Sequence, residues 1–345
     1  MKNFNWLIIT FVIIIFAFIG CSNTIKNNED KAVTAKKQND NGVHILRFDK
    51  QVYQYLLNPS KEKEDSLKTL YPDLLQALSL SIANAAMESD STQVFEVLRS
   101  YFSHPMLMGM YKDALAVSDN HLSEYEKKLT KAKDIAMEYL PRYNMPQYAM
   151  HISGFKENVI VLDDVISLSV ERYLGTDYPL YAQFFEPYQI QQMTPEFVVR
   201  DYLTAWLMSN VVRQDASTKP TLLSAMVDEG KIKYILSQLL PDNSPEYIIG
   251  YTAQQMAWCK DNEKDVWQNI LKQNQLFTID YMIISRYIHD AAYTLPAGKQ
   301  SPGHLGVWTG WQIVNEYMKK TDASIEELLH ADSRNILKVS KYNPN

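Results

Sequence analysis

The first 21 residues constrain this chain more than any other segment. Lys2 is the only charged residue before a run of apolar side chains at positions 7–19, and the chain turns polar directly after Cys21. Thirteen residues in a helix extend about 20 Å, too short for a hydrocarbon core of about 30 Å. A cation, a short apolar run and the small Gly20 predict a secretory signal over residues 1–20. The alternative is a signal anchor that stays uncleaved.

Cys21 directly follows the predicted cleavage site. This position resembles the lipobox of bacterial lipoproteins, in which the new N-terminal cysteine is acylated, so we predict that a lipid on Cys21 anchors the chain to a membrane. Residues 21–43 are rich in Asn, Lys and Asp and have almost no large apolar side chain. Such a segment buries too little to order itself and is predicted to be a flexible tether. Residues 44–345 are then a single globular domain.

The charge and the cysteines limit the possible partners and bonds. Without residues 1–20, and therefore without Lys2, the chain has 33 Lys and Arg against 40 Asp and Glu, a net charge of −7. Neither nucleic acid nor electrostatic adhesion to anionic lipid is expected, because each requires a basic face. If Cys21 is acylated, Cys259 has no disulfide partner, since these are the only two cysteines. The body must therefore be stabilised by burial, for which 46% hydrophobic residues are ample.

The spacing of apolar residues predicts an α+β fold that is predominantly helical. Helices are expected over residues 61–142, followed by a small sheet inserted at about 147–170 between two helical halves. Within it, residues 147–153 and 158–163 are predicted to form a hairpin, with 165–170 as a third strand. A further short strand is expected at 44–48. The later helices are predicted over residues 194–212, 252–273, 305–320 and 325–341, the first two with Thr194 and Thr252 as N-caps.

One predicted helix resembles the zinc-binding helix of zincin peptidases but lacks its ligands. Arg200, Asp201 and Thr204 stand where such a helix has His, Glu and His, and Glu229 before Gly230 resembles the third ligand of gluzincins. The chemistry needs two imidazoles one turn apart, a carboxylate base and a remote ligand. An arginine cannot bind a metal, and a threonine hydroxyl is a poor zinc ligand. We therefore predict no metal and no cofactor at this position.

Arg200 lies on a helix that is apolar around most of its circumference. A buried cation needs an anion nearby, so its guanidinium is predicted to occupy the vacated metal position and to pair with Glu229 or another acid. The alternative is an ordinary helix whose two charges are coincidental.

Other candidate residues give weaker signals. No two of the seven histidines are predicted to share a helical face, although His289, Asp290 and His304 could approach a common site. Gly306 and Gly310 alternate with Trp308 and Trp311, a pattern that favours a close helix crossing filled by the indoles. The functional alternative is an aromatic groove for a peptide or glycan, formed by Trp308, Trp311 and His304.

Several segments together resemble the gliding motility-associated lipoprotein GldB family of Bacteroidetes. They are the lipoprotein signal and residues 45–49, 173–175, 230–232, 250–255, 317–318, 340–344 and, above all, 301–311. The resemblance spans the mature chain and is most specific over residues 221–345. It implies a cell-envelope lipoprotein associated with gliding motility, in a family distantly similar to predicted zinc peptidases without their ligands. His304 and residues 291–296 depart from the family pattern.

We therefore expect a zincin-like but metal-free body that acts as a non-catalytic pseudo-peptidase, through binding or as a scaffold. Its expected partners are the membrane, through the N-terminal lipid, and other envelope or gliding-machinery proteins. One alternative is an envelope hydrolase with a non-standard site that uses Glu229, Asp201 or His289. Another is a purely structural component without a ligand pocket. Ser22 is not the Asp that retains some lipoproteins in the inner membrane, which favours the outer membrane, facing the periplasm.

Overall fold

A computed structural model describes residues 41–83, 93–212 and 219–344. The predictions for the signal, for Cys21 and for most of the tether lie outside these residues. Over residues 61–142 the first helical part agrees with the predicted spacing, and Pro141 lies just beyond its last helix, whose final residue is Tyr139. A further helix, Phe48–Leu57, precedes this range and was not predicted. Its helices are α1 Phe48–Leu57, α2 Lys61–Leu70, α3 Pro72–Ile82, α4 Val94–Phe102 and α5 Pro105–Tyr139.

A three-stranded sheet follows, made of β1 Gln147–His151, β2 Val159–Val161 and β3 Val165–Ser169. The strand order is β1-β3-β2, with β1 parallel and β2 antiparallel to β3. The predicted hairpin between the first two strands is therefore wrong. The hairpin joins β2 to β3, because only three residues separate these two strands.

The strand expected at residues 44–48 is also largely absent. Leu46 forms a single bridge to Ala149 of β1, and Phe48 already begins α1. The N–H of Ile45 donates to a Glu126 carboxylate oxygen at 3.0 Å instead of to a neighbouring strand. A side chain of α5 thus replaces the pairing that a longer strand would need.

The second helical part is built from shorter helices than predicted. Thr252 and Gln255 form the expected capping box, with N–H···O distances of 3.1 and 2.9 Å. Thr194 is the N-cap residue of the 3-10 turn Pro195–Phe197 that leads into α8, as predicted, although its side chain makes no capping hydrogen bond. The helices are α6 Tyr181–Phe184, α7 Pro187–Ile190, α8 Val198–Trp206, α9 Leu222–Leu239, α10 Pro245–Ile249, α11 Ala253–Asp261, α12 Glu263–Lys272, α13 Tyr281–Ile288, α14 Leu305–Lys320, α15 Ile325–His330 and α16 Ser333–Ser340.

The predicted class, α+β with helices in the majority and a small sheet between two helical parts, is confirmed. A π-helical turn, Leu207–Val211, continues α8. The single helix predicted over 325–341 is two helices, because Asp332 caps a new one by accepting from the N–H groups of Arg334 and Asn335. Among the helices in the described residues, none is both long and apolar enough to span a membrane.

Helices α9 and α14 cross with almost no space between their backbones. A Cβ atom on Gly310 would overlap the carbonyl oxygen of Met226, and one on Gly230 would overlap Gly310. Trp308 and Trp311 are 2% and 5% exposed beside this contact. The predicted close helix crossing is therefore confirmed, and it leaves little of either indole accessible to a ligand.

Candidate functional site

Arg200 on α8 is buried and firmly held. Its side chain is 7% exposed, and Nε and Nη2 both approach Oδ1 of Asp201, at 2.8 and 2.7 Å. Nη1 donates to the carbonyl oxygen of Tyr247 at 3.2 Å. The guanidinium also stacks on the ring of Phe197, 4.1 Å from its centroid. The structure thus pairs Arg200 with an acid, and that acid is Asp201, the next residue in the chain, rather than Glu229.

Asp201 is bound on both of its carboxylate oxygens. Oδ1 receives the guanidinium, and Oδ2 accepts the phenol of Tyr173 at 2.9 Å. Burial and the neighbouring Asp201 raise the pKa of Tyr173 well above its usual value, so the phenol stays a donor. Thr204, one turn further along α8, has a buried hydroxyl that makes no hydrogen bond. These contacts fix Arg200 and Asp201 in one position.

Helix α9 presents Glu229 and Lys233 one turn apart on one face. Both are partly buried, and neither has a hydrogen-bond or ion-pair partner within the part of the chain that the structure describes. Burial raises the pKa of Glu229, while the charge of Lys233 opposes that shift. Burial, assisted by the charge of Arg200, lowers the pKa of Lys233. Two ionisable groups are therefore kept partly desolvated without a hydrogen-bond partner in the described chain.

His304 forms the fourth part of the site, directly before α14. Its Nδ1 lies 2.7 Å from Oδ1 of Asp290, and its ring stacks on Tyr251 with centroids 4.9 Å apart. Partial desolvation by the neighbouring residues would raise the pKa of Asp290, but the hydrogen bond and charge of His304, with the charges of Lys233 and Arg200, lower it to about 2. His304 has a left-handed backbone, with φ of 40°. Asp290 remains open to solvent, its side chain 69% exposed.

These residues act on one another electrostatically. The charges of Arg200, Glu229 and Asp290 all contribute to the pKa of Lys233. His304 and Asp290 contribute to the pKa of Glu229. We call this group the polar cluster, and its members are Arg200, Asp201, Glu229, Lys233, Asp290 and His304.

The polar cluster does not fit a metal ion. Across the described ranges, no three His, Cys, Asp or Glu side chains are arranged so that they could hold one. The cluster does contain hydrogen-bond donors and acceptors of both charges, two of them unpaired. It can therefore bind a polar ligand through charge-assisted hydrogen bonds.

Sequence reasoning named four members of the cluster and placed Asp290 near a possible site, but it missed Lys233. The spacing of Glu229 and Lys233, one helical turn, was a usable signal. Trp308 and Trp311, the other proposed groove residues, lie in the helix crossing instead.

A cavity of about 680 Å³ lies elsewhere, between the start of β1 and the end of the π-helical turn. Asp228 and Lys231 of α9 line it, together with Arg142 and His330. Lys231 donates to the carbonyl oxygens of Leu329 and Ala331 at 3.2 and 2.9 Å, and Asp228 forms no ion pair within the residues that the structure describes. Burial raises the pKa of Asp228 to about 6.

Comparison with known proteins adds one family assignment. No curated protein and no solved structure matches this chain. The sequence model of one family, described as gliding motility protein GldB, matches residues 26–344, nearly the whole chain. This chain therefore belongs to the gliding motility protein GldB family and is associated with gliding motility.

Proposed function

We propose that this protein is a lipid-anchored component of the cell envelope that serves gliding motility by binding another envelope protein, without catalysing a reaction. The polar cluster is the proposed binding site. The fixed, buried guanidinium of Arg200 is the observation that carries this proposal.

Arg200 stands at the first ligand position of the helix that resembles a zinc-binding helix. A guanidinium has no acceptor atom and keeps its positive charge, so it repels a cation instead of coordinating it. Asp201 and Phe197 hold the group where it is. This geometry supports a site that has a polar surface and carries the Arg200 guanidinium where a zinc peptidase has its first metal ligand.

The unpaired charges of Glu229 and Lys233 support binding as the remaining activity. Partly desolvated groups without partners destabilise the free protein, and a partner that supplies the opposite charges removes this cost. Such a partner presents an acidic and a basic group close together, as the polar surface of another protein does.

Cross-linking in cells tests the binding proposal. The full chain with Glu229→Gln and Lys233→Met is expected to lose cross-links to envelope proteins that the unchanged chain makes. Lys131→Met, which removes an exposed ion pair with Asp242, is the matched control and should keep them. If the cluster variant keeps every cross-link, the polar cluster is not the binding site.

The His304–Asp290 pair favours one alternative function, an envelope hydrolase. A histidine oriented by a carboxylate is the arrangement of a general base. Hydrolysis of peptides or esters by the purified protein, abolished by His304→Asn or by Glu229→Ala, would support the enzyme. Stoichiometric zinc by elemental analysis would contradict the binding proposal directly.

The proposed location is the outer membrane, facing the periplasm, with the lipid on Cys21. Membrane fractionation should find the unchanged chain in the membrane and Cys21→Ala released. A variant that stays firmly in the membrane fraction would contradict lipid anchoring and favour an uncleaved signal anchor.

A further inference from the structure

Exposed apolar side chains concentrate in one part of the second helical half. Six of the fourteen large apolar side chains exposed in the described residues lie between positions 271 and 295. Four of them fall within six residues, and we call these four the apolar ridge. They are Phe277, Ile279, Tyr281 and Met282, which are 52%, 58%, 64% and 60% exposed.

The backbone of the apolar ridge is fixed, so the exposure belongs to the fold. The first N–H groups of α9, on Leu222 and Leu223, donate to the carbonyl oxygens of Thr278 and Leu276 at 3.0 and 2.9 Å. Asp280 caps α13 by accepting from the N–H of Met282 at 2.8 Å. Leu276 is buried at the start of this segment. The chain thus turns one apolar side chain inward and presents the next ones to solvent.

An apolar patch on a fixed backbone marks a docking surface, because exposed apolar area is costly in water. The charge around this patch differs from that of the chain as a whole. Across residues 271–295, two cations (Lys272 and Arg286) balance two carboxylates (Asp280 and Asp290), whereas the whole chain has a net charge of −6.

A further cation lies on the apolar ridge itself. The guanidinium of Arg334 sits over the ring of Phe277, 5.1 Å from its centroid. Aromatic and aliphatic side chains flanked by cations are the composition of segments that lie in the interface of an anionic bilayer.

We propose that the apolar ridge docks into the headgroup region of the membrane that carries the lipid anchor. This inference rests on the lipid anchoring under the proposed function. Twenty residues, 21–40, precede the first residue that the structure describes, and a chain of that length can extend about 70 Å. The tether alone therefore leaves the orientation of the body open, and a second contact would fix which face meets the bilayer.

The test uses the mature chain without its lipid, residues 21–345 with Cys21→Ala, and vesicles of phosphatidylethanolamine with phosphatidylglycerol. We expect this chain to sediment with the vesicles. Phe277→Ser with Ile279→Ser should weaken partitioning by about tenfold or more, because two side chains lose their burial in the interface. The matched control is Leu57→Ser with Met137→Ser, two side chains that are each 57% exposed on α1 and α5.

The control variant is expected to partition like the parent chain. Equal partitioning of the ridge and control variants, or no sedimentation of the parent, would overturn the proposal. Analytical ultracentrifugation tests another occupant of the ridge. If the parent chain forms a dimer and the ridge variant does not, the ridge binds a second copy of the chain, and the membrane proposal is overturned. A thermal melt checks folding, and Tyr281→Ser replaces a ridge variant that does not fold. The Cys21 fractionation is read after an alkaline carbonate wash, which removes peripherally bound protein. Retention through the ridge is then not mistaken for lipid anchoring, and the two proposals fail separately.

Discussion

Two groups of buried or partly buried polar side chains in this protein differ in how fully they are satisfied. The first, which we call the sheet network, lies between β1 and β3 and is 0% exposed throughout. Its members are His151, Ser153, Ser167, Ser169 and Glu171. The Ser153 and Ser169 hydroxyls are 2.9 Å apart, and one oxygen of Glu171 accepts from the N–H groups of Ser153 and Phe155 at 2.9 and 3.1 Å.

The polar cluster on α8, α9 and α14 is the second group. In the sheet network the side chains are hydrogen-bonded within the described residues, except that Oε2 of Glu171 is buried without a partner. Glu229 and Lys233 have no partner in the described chain, although both are partly desolvated. A closed network stabilises one conformation, whereas open charges cost stability and are available to a ligand. Removing a charged side chain should therefore raise the free energy of unfolding in the polar cluster and lower it in the sheet network.

The largest effect is expected at the helix crossing that positions the polar cluster. Gly310→Ala places a Cβ on the carbonyl oxygen of Met226, so α9 and α14 must separate, at a cost of about 4 kcal/mol or more, or the chain fails to fold. Urea denaturation followed by circular dichroism measures the loss. Gly109→Ala in α5, where a Cβ would meet nothing within 4 Å, should instead stabilise by about 0.5–1 kcal/mol. Similar effects of both variants would contradict the crossing.

The next largest effect is expected in the sheet network. Glu171→Ala leaves the N–H groups of Ser153 and Phe155 without their acceptor, which should lower the free energy of unfolding by about 3 kcal/mol. Glu171→Gln keeps an acceptor oxygen and should cost clearly less. If the two variants lose equal stability in urea denaturation, the network depends on the charge of Glu171 and not on its hydrogen bonds.

His151 gives the sheet network a dependence on pH. Glu157 offers only a carbonyl oxygen to Nε2, so Nε2 carries the proton and Nδ1 accepts from the hydroxyl of Ser167 at 2.8 Å. Burial lowers the pKa of His151 from 6.5 to about 4. Between these values the unfolded chain binds a proton that the folded chain does not, so stability falls as the pH drops from 7 to 4.

This pH effect amounts to about 3 kcal/mol at pH 4, from the size of the pKa shift. Urea denaturation at pH 7, 5.5 and 4 should show a smaller acid loss for His151→Gln than for the parent chain. His121→Gln on α5 is the control and should keep the full loss. An acid loss that His151→Gln leaves unchanged would place the titrating group elsewhere.

The sequence was a good guide to elements that local signals define. Leu305–Lys320 was predicted to the residue, because glycines, tryptophans and the preceding Pro302 act within one segment. The predicted strand pairing was wrong. The parallel pairing of β1 with β3 depends on contacts distant in sequence, whereas the three-residue connection between β2 and β3 was a local signal for the observed hairpin. Lys233 was missed although its one-turn spacing from Glu229 is visible in the sequence, because only the packing of α8, α9 and α14 shows that it has no partner within the described residues.

The variant with the smallest expected effect on stability distinguishes the polar cluster from the sheet network most directly. Lys233→Met removes a partly desolvated ammonium that has no acceptor within the described residues, so it should stabilise the protein by about 1 kcal/mol. Lys231→Met, two residues earlier on α9, removes the donor to the carbonyl oxygens of Leu329 and Ala331 and should destabilise by about 1–2 kcal/mol. Urea denaturation of both variants at pH 7 gives the comparison. A loss of stability in Lys233→Met would mean that this ammonium contributes to the fold, and the cluster would then be structural like the sheet network.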